Sequence, residues 1–102
     1  MIKLKRGVKL RGLRPEMLVG IMVAEGVYAK LGYPLIITSV CDRRHSSGSL
    51  HYVGLAVDFR TRHLPSSKKM IVAGNLRQAL GTEFDVVHES DHLHLEFQPK
   101  RS

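Results

Sequence analysis

The sequence predicts an α+β domain with a small, mostly antiparallel sheet and two main helices. Three observations predict it. Two stretches carrying helix start and stop signals are interleaved with short strand-like runs. The strand-like segments 84–88 and 92–97 are separated by only three residues, a connection that suits an antiparallel pair. The chain has 102 residues, which fits one core and leaves no room for a second, so 1–102 reads as a single domain.

Residues 1–13 alternate short apolar and basic positions and read as a basic arm or a short strand. Arg14-Pro15-Glu16 starts a helix, because proline suits the first helical position and an acidic residue the first turn. Leu18, Ile21, Met22, Tyr28 and Ala29 give its apolar face, and Gly32 is its C-cap. Gly20 and Gly26 weaken this helix or mark close packing against a neighbour. The β-branched run 35–38 after Pro34 is a short buried strand, 42–49 is a polar loop, and 52–59 returns to strand. Ser66-Ser67 offers an N-cap for a second helix, lined on one side by Val72, Ala73, Leu76, Ala79 and Leu80 and ended by Gly81. Glu89-Ser90-Asp91 is the turn between the last two strands.

Hydrophobic residues make up 43% of the chain, which suits a globular protein and not a disordered tail. No run approaches the roughly 18 apolar residues of a membrane span. The basic amino terminus is not followed by the apolar segment of a secretory signal, so synthesis in the cytoplasm is expected. Cys41 is the only cysteine, which excludes an internal disulfide and a thiolate metal cage; it reads as a small buried residue. Any metal site must therefore use His, Asp and Glu. The formal net charge of +7 favours polyanionic partners, among them nucleic acid, anionic lipid and the polymers of a bacterial wall, and does not choose between them.

Six histidines are more than a domain of this size needs, and their placement matters more than their number. In His92-Leu93-His94-Leu95-Glu96-Phe97, residues 92, 94 and 96 leave one face of a strand while 93, 95 and 97 enter the core. The two imidazoles then stand about 7 Å apart along the strand, so one can bind a metal while the other faces a substrate. His51 and Asp58 are separated by an odd number of residues and would point to opposite faces of a regular strand. If they share a ligand set, the chain must bend between them, which Gly54 permits, and Ala56 leaves room above the metal. Two nitrogens and one carboxylate oxygen form a tetrahedral zinc site with one position open for water, as hydrolysis requires. His45, His63 and His88 lie outside these patterns and read as ordinary structural or surface histidines.

The pattern S-x-H-x-x-G-x-A-x-D, here Ser49, His51, Gly54, Ala56 and Asp58, followed by H-x-H at His92 and His94, resembles a known signature. It is similar to that of the zinc D-alanyl-D-alanine carboxypeptidases and phage endolysins, whose fold is shared with the amino-terminal signalling domain of hedgehog proteins. The resemblance runs from about Thr38 to Phe97. It implies one Zn2+ held by His51, Asp58 and His94, with His92 stabilising the oxyanion. It implies that the acidic residue three positions before the last ligand, Asp91, is general base and acid; Glu89 is near enough to compete for that role. An arginine before the first ligand faces the substrate carboxylate in this family, and Arg43 and Arg44 are the candidates. Ser49 holds the ligand loop or touches substrate, and Glu96 is positioned to orient one of the histidines.

The implied function is hydrolysis of peptidoglycan stem peptides, as a D-Ala-D-Ala carboxypeptidase or an L-Ala-D-Glu endopeptidase. The short chain has few residues to close one end of a cleft, which leans toward the endopeptidase. A monomer, phage or prophage origin, and action on the wall after release by holin or lysis go with this reading. The positive charge would then supply contact with anionic wall polymers. The alternatives are a zinc-binding module of the same fold without catalysis and, last, a small basic nucleic-acid binder. Aromatic residues are only 6% of the chain and no nucleic-acid motif is present, so no nucleic acid is expected as partner.

Overall fold

The computed structural model describes residues 1–40 and 55–98. Seven elements follow in the order β1 (Ile2–Leu4), α1 (Pro15–Lys30), β2 (Leu35–Ser39), β3 (Ala56–Arg60), α2 (Ser66–Leu80), β4 (Phe84–His88) and β5 (His92–Phe97). The strands form one sheet in the order β1-β2-β3-β5-β4. Only β1 and β2 run parallel, connected through α1; the other three pairings are antiparallel. This is the α+β architecture with a mostly antiparallel sheet and two helices. Residues 2–4 take the strand alternative for the basic arm. The expected strand 52–59 is seen as Ala56–Arg60; residues 52–54 and the loop 42–49 lie outside the described residues, as do Cys41 and His45.

Local chemistry sets the helix bounds. Arg14 is extended (φ −76°, ψ 152°), the conformation that a following proline imposes, and Pro15 opens α1. Leu31 caps α1, and Gly32 follows at φ +87°, a left-handed conformation that costs glycine nothing. The buried face of α1 is Met17, Gly20, Ile21, Ala24 and Tyr28, a stripe at helical spacing. Leu18 and Met22, expected on that face, are exposed, and so is Ala29. The reason is rotational: Ile21 and Tyr28 fix the inward direction, and Leu18 and Met22 sit about 100° to one side of Met17 and Ile21 respectively. In α2 the inward residues are Val72, Ala73 and Leu76, whereas Ala79 is exposed and Leu80 half-buried. The N-cap of α2 is Pro65 with no side-chain cap, and Ser66 is already helical.

Both helices contribute to a single core with one face of the sheet, including Leu35, Ile37, Val57, Phe59, Leu93 and Leu95. Tyr28 crosses this core, and its hydroxyl donates to the Arg60 carbonyl at 2.9 Å. Burial pushes its phenol above the ordinary value. The Arg77 guanidinium ties α2 to β4 through Nε and Nη2, both donating to the Val86 carbonyl. His63 also has a structural place: its ring stacks on Tyr28, and Nε2 contacts the Pro34 carbonyl at 2.9 Å.

Gly20 packs against the sheet with no room for a side chain. A Cβ there would stand 3.1 Å from both Leu95 Cδ2 and Phe84 Cε2, whereas one at Gly26 would meet nothing within 4 Å. The two helical glycines should therefore respond oppositely to substitution. Gly26→Ala should stabilise the fold by about 0.5–1 kcal/mol through helix propensity. Gly20→Val should destabilise it by about 1–3 kcal/mol through overpacking. Urea unfolding of the two variants checks this; equal responses would contradict the packing described.

Candidate functional site

The helices cover one face of the sheet, and strand parity sends the polar residues of β3 and β5 to the other. In β5 the inward residues Leu93 and Leu95 are fully buried, while His92, His94 and Glu96 are partly exposed. In β3, Val57 and Phe59 are buried, and Asp58 and Arg60 are partly exposed. Antiparallel register sets Asp58 directly opposite His94, Arg60 opposite His92 and Ala56 opposite Glu96. Two sequence patterns 34 residues apart, ending at Asp58 and starting at His92, thus meet on one surface.

Asp58 and His94 are in contact, Oδ1 to Nδ1 at 2.8 Å. The other ring nitrogen, Nε2, lies 2.6 Å from Glu96 Oε1. Glu96 is held in turn by the Gln98 side-chain amide, which donates to Oε2 at 2.6 Å. Asp58 is 18% and His94 19% exposed, so the pair is largely withdrawn from water. The hydrogen bond to Asp58, opposed by desolvation and reinforced by Glu96, raises the His94 imidazole to about 9. Near neutral pH and without metal, both ring nitrogens therefore carry protons, donating to Asp58 and Glu96.

The second part of the site is the β4–β5 turn. The Glu89 amide donates to the His92 carbonyl at 2.8 Å and closes it. The Asp91 amino-acid carbonyl accepts from the Thr61 amide at 3.0 Å, which fastens the turn to the end of β3. His92 Nδ1 lies 2.8 Å from Asp91 Oδ1, and His92 Nε2 lies 3.8 Å from Glu89 Oε2, beyond hydrogen-bond range. The hydrogen bond from His92 lowers the Asp91 carboxyl, although Asp91 is 65% exposed. Asp91 and His92 are thus one hydrogen-bonded unit and not two independent groups.

A pocket of about 260 Å³ connects the two parts, lined by Lys5, Thr38, Ser39, Asp58, Arg60, Arg62, Asp91 and His92. The β2–β3 register shifts between Ile37 and Ser39, so that Ile37 faces Phe59 and Ser39 faces Asp58. This bulge explains why the consecutive residues Thr38 and Ser39 line the same pocket. Of the two candidates for general base, Asp91 lines this pocket beside Asp58; Glu89 is not among its lining residues.

Of the residues singled out in the sequence, Asp58, Asp91, His92, His94 and Glu96 come together on this face. His51, Arg43, Arg44, Ser49 and Gly54 lie outside the described residues. Among the described residues no group of three or more His, Cys, Asp or Glu side chains is arranged to hold a metal ion. Geometry explains this: Asp58 and Glu96 approach opposite nitrogens of His94 and do not converge with it on one point. The donor chemistry of Asp58 and His94 nevertheless fits zinc. Two donors on one tetrahedral zinc stand about 3.3 Å apart, close to the observed contact. Glu96 at the far nitrogen matches the carboxylate that commonly orients a zinc-bound histidine. The sequence reading missed Lys5, Thr38, Ser39, Arg60 and Arg62. Alternation continued from Asp58 through 60 and 62 would have found the two arginines; Lys5 depends on the parallel β1–β2 pairing.

No family model matches the chain, and no curated protein matches it. No helix among the described residues is long and apolar enough to cross a membrane.

The raised imidazole gives a signed prediction for the metal-free protein. Its folded value lies above the ordinary 6.5, so the stability it contributes is fully present below about pH 6.5 and is lost as pH rises through about 9. Unfolding free energy measured by urea titration should fall across that window. Asp58→Asn removes the largest cause and should flatten most of the slope; an unchanged slope would refute the assignment.

Proposed function

We propose that this chain is a zinc-dependent peptidase that hydrolyses the stem peptides of peptidoglycan. The observation that carries the reading is the Asp58–His94 contact on the face of the sheet opposite the helices, at 2.8 Å, beside the Asp91–His92 unit. His51, from the same sequence pattern as Asp58, supplies the third ligand. Zinc held by these three residues supplies Lewis-acid polarisation of the peptide carbonyl and acidification of water.

The chain's own residues do the rest. Asp91, held ionised by its hydrogen bond to His92, accepts the proton of the attacking water and passes it to the leaving amine. That same bond fixes the His92 ring with Nε2 turned away from Asp91, and in its doubly protonated form the ring would donate Nε2–H to the developing oxyanion. Glu96 keeps the His94 ring oriented with a proton on Nε2 and its Nδ1 toward Asp58. The peptidoglycan substrate is supported by the motif resemblance, and the choice between a terminal D-Ala-D-Ala bond and the L-Ala-D-Glu bond leans to the latter. Acting on the wall after release from the cell, the protein would use its net charge of +7 for electrostatic affinity.

Four variants assayed on purified peptidoglycan, with products identified by mass spectrometry, test the reading. His51→Ala and His94→Ala should lose zinc and hydrolysis together. Asp91→Asn should keep zinc and lose about 10²–10⁴-fold in turnover. Glu89→Gln should stay within a few-fold of wild type. Wild-type hydrolysis by His94→Ala would contradict the mechanism, and a dead Glu89→Gln with an active Asp91→Asn would transfer the base role to Glu89.

A further inference from the structure

The pocket beside Asp58 contains three cations that the hydrolytic steps leave unused. Lys5 follows β1 and is tied by its amide to the Ile37 carbonyl at 2.8 Å. Arg60 and Arg62 follow Asp58 at two-residue steps along and just beyond β3. All three line the pocket together with Asp91 and His92. Among the described residues, none of the three side chains forms a hydrogen bond or an ion pair; Arg62 acts on Asp91 only through space. The pocket's two carboxylates are engaged elsewhere, Asp58 with His94 and Asp91 with His92. Three positive charges therefore face two negative ones that are already partnered. Ser39 lines the same pocket, only 6% exposed, and its hydroxyl has no hydrogen-bond partner among the described residues. A buried hydroxyl without a partner is costly, and an acceptor entering the pocket would satisfy it. The volume, about 260 Å³, is several times the roughly 30 Å³ of one water.

We infer that Lys5, Arg60 and Arg62, in addition to the Arg43 and Arg44 that the resemblance implies, form an anion subsite that takes the carboxylate of the residue on the leaving side of the scissile bond. The subsite stands on the pocket; its assignment to the leaving side rests on the peptidase reading. Asp91 delivers the proton to the leaving amine and lines this pocket, so the leaving residue lies in it. A carboxylate on the carbon bearing that amine then meets the three cations, with an arginine fork suited to two parallel hydrogen bonds. Both candidate substrates carry such a group: the terminal carboxylate of D-Ala-D-Ala, and the α-carboxylate of D-glutamate after L-alanine. The shared chemistry is an α-carboxylate one carbon beyond the leaving nitrogen.

The test is equilibrium binding to the full chain, followed by backbone amide shifts, before and after zinc addition. The probes are acetyl-D-alanyl-D-alanine and acetyl-L-alanyl-D-glutamine, each as the free α-acid and as its α-carboxamide. At least one acid should perturb the amides of Lys5, Ser39, Arg60 and Arg62 and bind about tenfold or more tightly than its carboxamide. The acid with the larger preference identifies the source. Arg60→Gln/Arg62→Gln should abolish the preference while keeping native amide dispersion. Lys5→Gln, beside the edge strand, should reduce it about threefold and covers the case in which the double variant does not fold. Equal binding of acids and amides by wild type, or a preference undiminished in these variants, overturns the subsite. Loss of zinc uptake or hydrolysis in wild type with the acid preference intact overturns the peptidase reading instead.

Discussion

The antiparallel pairing of β3 with β5 is the constraint on which the rest of the structure depends. Its register does two jobs at once. On the covered face it stacks Val57 against Leu95 and Phe59 against Leu93, the centre of the core that α1 and α2 close. On the face opposite the helices the same register places Asp58 against His94 and Arg60 against His92. A slip of one residue would exchange the faces, burying charge and exposing the core. Packing energy thus sets the backbone positions of the polar constellation, and the Asp58–His94–Glu96 and Asp91–His92 hydrogen bonds orient its side chains.

Charge on the face opposite the helices is graded. At one end Glu96 surrounds His94 with a second carboxylate and raises its imidazole; Asp85, in register with Glu96, adds to that side. At the other end Lys5, Arg60 and Arg62 gather around the pocket. Asp58 lies between, and the Asp91–His92 unit sits at the cationic end, with His92 opposite Arg60 and the Asp91 carbonyl on the Thr61 amide. A negative surround favours a cation at His94, whether protons or a metal, while the opposite end favours an anion. A substrate whose carbonyl meets a metal and whose carboxylate lies next to it would match that gradient.

Much of this was legible in the sequence, for definite reasons. Strict alternation in 92–97 and the short turn before it determine which side chains share a face, because a strand's period does not depend on context. Pro15, Gly32 and Gly81 mark the helix ends through backbone chemistry that is equally local. Less legible was the rotation of α1. Leu18 and Met22 are as apolar as Met17, and only the sheet decides which of them is buried. Asp91 and His92 were read as separate groups, since adjacency in sequence does not reveal a hydrogen bond between neighbouring side chains. Lys5 was unreadable as a pocket residue because parallel pairing across α1 is a long-range event.

The central claim is that Asp58 and His94 are poised to exchange a shared proton for a metal. The most direct measurement is the nitrogen chemical shift of the His94 ring during a zinc titration near neutral pH. The account predicts that Nδ1 loses its proton and takes the shift of a ligated nitrogen, saturating at one zinc per chain, while Nε2 stays protonated on Glu96. Saturation of zinc with both His94 nitrogens still protonated would contradict it.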